Sequence, residues 1–147
     1  MSGTFKSNPP FKADHVGSLL RPRELIQAFK DYTSGALTRR AYAEVQDKCI
    51  AEVVALQEGV GLQSITDGEF RRASYWSHFA EGLDGMSVRP AAFTFHDHRQ
   101  GSDQVFMAPY VENTISRPKS LSSGEFSYLN SITKATPKVT MPSPPSM

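Results

Sequence analysis

Apolar and polar positions alternate between two rhythms along the chain. Phe11 to Val16 reads as a short strand leading into Gly17-Ser18. Pro22 follows where the first turn of a helix tolerates it, then Leu25, Ile26 and Phe29 at helical spacing, and Gly35 closes the segment. Thr38 is placed as the N-cap of a longer helix whose apolar stripe is Tyr42, Val45, Cys49, Val53 and Leu56, ending near Gly59 or Gly61. Leu62 to Thr66 is short enough for a second strand, breaking into Asp67-Gly68-Glu69. Tyr75 to Leu83 is helical in pattern and stops at Gly85.

From Met86 to Ser120 the helical period disappears, and aromatics, Pro, Gly and charge take over. This 86–120 stretch predicts an irregular excursion, with hairpin strands near Ala91–His96 and Val105–Val111. Ser122 and Glu125 have capping-box spacing ahead of Phe126, and the helix they open leads to Lys138-Val139-Thr140-Met141, a third strand. Strand, polar turn and helix in this order indicate an α/β protein. The expected architecture is a partial (β/α)8 TIM barrel, about its first three strands plus an inserted hairpin-like excursion. Residues 1–10 form a flexible arm and 11–147 the N-terminal portion of the barrel. A full barrel needs eight strands and roughly 250 residues, so an incomplete barrel is expected, and the family resemblance given below implies that the chain is inactive.

Composition narrows the class. The 147 residues are 39% hydrophobic, enough for one core, and carry a net charge of +1 with both signs interleaved. No basic tract marks a nucleic-acid partner, and no apolar run approaches a membrane span. One cysteine, Cys49, can form neither an intrachain disulfide nor a multi-cysteine zinc site, and its place within a helical stripe indicates core. With no signal-peptide pattern at the start, the expected location is the cytoplasm.

Three polar clusters fall at strand carboxyl ends, where barrels gather function: His15-Val16-Gly17-Ser18, Asp67-Gly68-Glu69-Phe70-Arg71-Arg72 and Pro142-Ser143-Pro144. Gly17-Ser18 offers N–H groups and a hydroxyl to an anion such as a carboxylate, or is a plain turn with a capping serine. Asp67 and Glu69 can bind an ammonium group, act as an acid/base pair, or bridge to Arg71 or Arg72. Tyr75 and Trp76 line a pocket or pack in the core. His96-Asp97-His98 has alternate histidines on one strand face but no partner pattern, so no metal is assigned there.

Asp14-His15-Val16-Gly17-Ser18-Leu19-Leu20-Arg21-Pro22 resembles the opening of the methionine synthase II family, relatives of the catalytic C-terminal domain of cobalamin-independent methionine synthase. Thr66 to Arg72, with Trp76, Phe79 and Gly82-Leu83-Asp84-Gly85, is similar to its second block. Ile115-Ser116-Arg117-Pro118 and Lys138 to Pro144 are weaker matches in the same order. The resemblance implies a UROD/MetE-like β/α barrel that transfers a methyl group from a folate to a homocysteine-like thiol, making methionine, with the thiol bound to zinc. By that resemblance Val16, Gly17 and Ser18 match the segment holding the substrate carboxylate, and Glu69 the carboxylate receiving its amino group. Asp67, His15, Trp76 and Ser143 are further candidates. The family's zinc ligands and its proton-donating histidine fall in later strands, so this chain is expected to supply no metal ligand and no catalytic residue. Methionine synthases carry histidine in place of Asp67 and isoleucine in place of Val16. A coenzyme M-type thiol acceptor, or a non-catalytic ligand-binding or interaction module self-associating through an exposed sheet edge, are the alternatives. A third reading is a barrel of the same architecture with decarboxylase chemistry, against which the two specific blocks argue.

Overall fold

The structure, a computed structural model, describes residues 13–97 and 102–143. They fall into two compact units, the first taking the described residues up to Arg71 with Ser122–Thr140, the second the described residues of Arg72–Leu121 and those from Met141 on.

The first unit holds helices α1 (Arg23–Thr33), α2 (Arg39–Gly59) and α4 (Ser123–Ile132) and strands β1 (Ser64–Ile65) and β4 (Thr136–Pro137). Helix α1 begins after Pro22, whose fixed φ suits a helix entry. Thr38 caps α2 as expected, its hydroxyl accepting the Ala41 N–H at 3.2 Å. The α2 stripe is wider than a single line of apolar positions. Cys49, Ile50, Val53 and Val54 are all buried, with Gln46 and Gln57 at the margins, while Leu56 is exposed. A stripe of that width is what a helix needs when it packs on several neighbours at once. On α1 the buried residues are Leu25 and Ala28, while Ile26 and Phe29 stay largely exposed. Phe29 and Tyr32 instead meet Tyr42 of α2 through their rings, Tyr32 stacked at 4.9 Å. Leu25, Cys49, Ile50, Val53, Val54, Ile65, Phe70 and Leu129 make one core.

Strands β1 and β4 pair in parallel, Ser64 opposite Thr136 and Ile65 opposite Pro137, with α4 before β4 on the return. Two of the sequence expectations need correcting here. Residues 13–16 form no strand, because Asp14 and His15 spend their polar groups locally: the Asp14 carboxylate accepts the His15 N–H at 2.9 Å, and His15 Nε2 meets the Gly17 carbonyl oxygen at 2.9 Å. Residues 11 and 12 lie outside the described residues. The third strand is Thr136–Pro137 and not Lys138–Met141; only the Lys138 N–H, donating to the Ile65 carbonyl at 2.8 Å, extends the pairing. The ladder ends because its partner turns at Asp67-Gly68-Glu69.

The second unit holds α3 (Ser77–Glu81) and the antiparallel pair β2 (Asp84–Asp97) and β3 (Ser102–Ser116). The helix is five residues, shorter than Tyr75–Leu83, starting where the Ser74 hydroxyl accepts the Ser77 N–H. Gly82 closes it, since a Cβ there would sit 2.3 Å from Leu121 Cδ2. Gly85 lies inside β2 at a register shift, with φ +79°, as the glycine of a bulge. The excursion is therefore a two-stranded ribbon, with a second register shift between Pro90 and Thr94, and is longer than the hairpin expected from the sequence. Met86, Val88 and Pro90 oppose Val111, Pro109 and Met107 on one face. Ser87 and Arg89 share the other with Tyr110 and Glu112. On that polar face the Arg89 guanidinium lies 4.0 Å from the Tyr110 ring centroid. The side chains of His96, Asp97 and His98 lie outside what the structure describes.

Helix α4 forms where expected, but without the capping box: Ser122 is the N-cap with no side-chain bond, and Glu125 is buried. Its end is secured by α2 instead. Glu58 accepts the Thr133 hydroxyl at 2.7 Å and the Lys134 N–H at 2.8 Å, and these bonds hold the Glu58 carboxyl below its ordinary pKa. No helix among the described residues is long and apolar enough to cross a membrane.

Candidate functional site

Six of the eight candidate residues fall in the first unit, around the turn that follows β1. That turn is built from buried polar groups. The Gln57 amide of α2 donates to the Thr66 carbonyl at 2.8 Å, and its oxygen accepts the Thr66 N–H at 3.0 Å. The side chain thus does for Thr66 what a neighbouring strand would do. Thr66 in turn accepts the Gly68 N–H on its hydroxyl at 3.2 Å, and Asp67 accepts the Glu69 N–H on its carboxylate at 2.9 Å. Gly68 and Glu69 both take left-handed backbone, at φ +68° and +58°. Glycine adopts that region freely, whereas a glutamate does so only when its surroundings hold it there.

The surroundings of Glu69 do hold it. Its N–H is tied to Asp67, its carbonyl accepts Arg21 Nη2 at 3.3 Å, and its Oε1 accepts the Thr140 hydroxyl at 2.7 Å. The residue is 3% exposed. Gln46 adds a longer bond to the next carbonyl, that of Phe70, at 3.4 Å. Arg71 is held by Asp47 and lies 5.1 Å from the Tyr128 ring centroid, so the carboxylate it pairs with is neither Asp67 nor Glu69.

His15-Val16-Gly17-Ser18 runs beside this turn. The Leu19 N–H donates to the Gly68 carbonyl at 3.1 Å, which brings the residue after Ser18 against the residue before Glu69. Gly17 has φ +89°, and nothing stands within 4 Å of where its Cβ would be. Val16 is 80% exposed and Ser18 is exposed too. An open loop of one left-handed glycine and a serine therefore adjoins a buried carboxylate. The loop is secured from behind by Lys138, whose ammonium donates to the Asp14 carboxylate and to the His15 carbonyl. The hydrogen bond from Lys138 holds the Asp14 carboxyl below its ordinary pKa. A depressed carboxyl pKa means that the clip is complete at neutral pH and is lost only as the pH falls through that lowered value.

Trp76 and Ser143 belong to the second unit: Trp76, half-buried, precedes α3, and Ser143 is exposed. Arg21, Lys138 and Thr140, which the sequence reading passed over as contacts, sit inside the first and last matching blocks. The alternation of Lys138 and Thr140 in the stretch expected as the third strand was the available signal.

Zinc does not fit these residues. Among the described residues no three His, Cys, Asp or Glu side chains gather as metal ligands. Cys49 is fully buried in the core between α2 and its neighbours, where burial pushes its thiol pKa up and disfavours the thiolate a metal would bind.

The chain matches, over residues 11–144, the model of the family described as cobalamin-independent synthase, catalytic domain. It is 35% identical to the uncharacterized protein YxjH of Bacillus subtilis (strain 168) over 138 residues, which is 92% of this chain and 36% of that protein. Against the 5-methyltetrahydropteroyltriglutamate–homocysteine methyltransferase of Trichodesmium erythraeum it is 29% identical, covering 95% of this chain and 18% of the relative. The chain thus spans between about a fifth and a third of the length of these curated relatives. The structure of a B12-independent methionine synthase from Shewanella sp. W3-18-1, solved in complex with selenomethionine, superposes with a TM-score of 0.58. It is 20% identical to this chain, and the match covers 74% of this chain and 30% of that one, a likeness of mixed α/β fold. On the extent of the family match, this chain belongs to the catalytic-domain family of the cobalamin-independent synthases.

Proposed function

We propose that this chain forms the part of a methionine synthase-type β/α barrel that grips the amino-acid end of homocysteine while its thiol accepts a methyl group from a methyltetrahydrofolate. The observation that carries the reading is the contact of the Gly17-Ser18 loop with the Gly68-Glu69 turn, which sets an open anion cradle beside a buried carboxylate. A zwitterion needs both. The backbone N–H groups and hydroxyl of Gly17 and Ser18 receive the carboxylate, and Glu69 receives the ammonium. Gripping both groups of the same carbon fixes the direction in which the thiol points, which is the positioning part of catalysis. Asp67 shapes the turn through its bond to the Glu69 N–H. His15 shapes the loop in the same way, through the Gly17 carbonyl. In the family a bound zinc ion would lower the pKa of the substrate thiol and so favour its thiolate; the residues described here provide no ligand set for it. The reading places the protein in the cytoplasm, with no nucleic-acid or membrane partner.

A coenzyme M-type acceptor has an anionic end but no amino group, so it brings no cation to the buried Glu69 carboxylate. The buried carboxylate favours the amino acid. Calorimetric titration of the chain with L-homocysteine and with coenzyme M separates the two. Homocysteine should bind more tightly, and Glu69→Gln should remove that advantage, by about tenfold or more for a lost charge-assisted bond. Equal binding of the two thiols, or a Glu69→Gln variant that keeps the advantage, contradicts the proposal.

A further inference from the structure

We infer that Lys138 and Thr140, on the segment leaving β4, are positioning residues that set the spacing between the carboxylate cradle and the ammonium acceptor; the inference rests on the function proposed above. Lys138 and Thr140 lie two residues apart on the segment that follows β4. They reach opposite sides of the candidate site. Lys138 holds Asp14 and the His15 carbonyl, immediately before Val16-Gly17-Ser18, and Thr140 donates to Glu69 Oε1 at 2.7 Å. The segment itself is fixed by the Lys138 N–H bond to Ile65 at the end of β1, two residues before Asp67. One three-residue stretch therefore ties both halves of the site to the sheet.

The two ties act on different ligand groups. The hydroxyl of Thr140 occupies one oxygen of Glu69 and fixes the plane of the carboxylate, so the other oxygen presents a set direction to an ammonium. Lys138 touches only the loop side, and its loss releases the approach of the Gly17 and Ser18 donors. A purely structural role would weaken all ligands alike, together with the fold. A positioning role weakens each ligand according to the group it carries.

The test measures binding to the chain of L-homocysteine, of the same thiol lacking its amino group, and of the thiol lacking its carboxyl group. Thr140→Val should lower the affinity for the two amine-bearing thiols by about tenfold and leave the carboxyl-only thiol unchanged, with Thr140→Ser restoring the loss. Lys138→Met should do the converse, weakening the two carboxyl-bearing thiols and sparing the amine-only one, with Lys138→Arg restoring part of the loss. Uniform loss across all three ligands in folded variants, or no loss in either, overturns the inference. Thr140→Ala serves where the valine variant does not fold, with the same pattern expected. If the unaltered chain shows no preference for homocysteine over its one-group analogues, the proposed function itself fails. If that preference depends on Glu69 but survives Thr140→Val and Lys138→Met, only the positioning role fails.

Discussion

Glu69 and Gly68 share left-handed backbone for different reasons, and the difference can be measured. Gly68 is crowded: a Cβ would come within 2.9 Å of the Phe70 ring and 3.3 Å of Leu19 Cβ, in addition to the positive φ. Gly17 has a larger positive φ but open space around it. Gly17→Ala therefore costs only the backbone term, about 1 kcal/mol, whereas Gly68→Ala adds overpacking of a buried ring, for about 2–4 kcal/mol in all. Urea denaturation of the two variants should rank them in that order; equal losses would show that the turn is looser than its contacts indicate. Both glycines were legible in the sequence as approachable turn positions. The bonds to Glu69 from Arg21 and Thr140 were not, because both are far from it along the chain and only the fold brings them in.

At the scale of elements, what the sequence disclosed followed how local each cause is. Thr38 and the positions after it specify α2 by themselves, through a cap and a stripe. The strands depend on partners. Residues 13–16 have a strand-like pattern, yet local bonds of Asp14 and His15 displace the ladder, and β4 pairs two residues earlier than its apolar run suggests. The ribbon of β2 and β3 is longer than the hairpin read from composition, because Gly85 serves as a bulge within it rather than a stop before it. Gln57 shows how an element can rely on one side chain. It lies on the inner face of α2 and satisfies both backbone groups of Thr66, so it acts as the missing edge of β1. Replacing it with leucine keeps the bulk and leaves a buried N–H and a buried carbonyl without partners, at about 1–3 kcal/mol each. Gln57→Leu should lower the urea midpoint and speed hydrogen exchange at Thr66, while Leu56→Gln on the exposed face of the same helix should change neither. A neutral Gln57→Leu would mean that water replaces the amide.

For the molecule as a whole, the family was legible because its blocks are contiguous motifs, while the closure of a barrel could not be read from three short strands. The same limit separates two kinds of chemistry. On the proposed function, recognition of the amino-acid end would need only groups within the first unit: the Gly17-Ser18 loop, Glu69, and the ties from Arg21, Lys138 and Thr140. Activation of the thiol, on the same proposal, would need a metal, for which the described residues provide no donor set. If recognition and activation are physically separate in this way, homocysteine binding to this chain does not depend on a metal ion. Titrations in excess chelator and in excess zinc should then give dissociation constants within about threefold of each other, since a thiolate–metal bond alone would shift affinity by several powers of ten. Loss of binding on chelation would place metal ligands inside the chain after all, and would move the centre of the site away from Glu69.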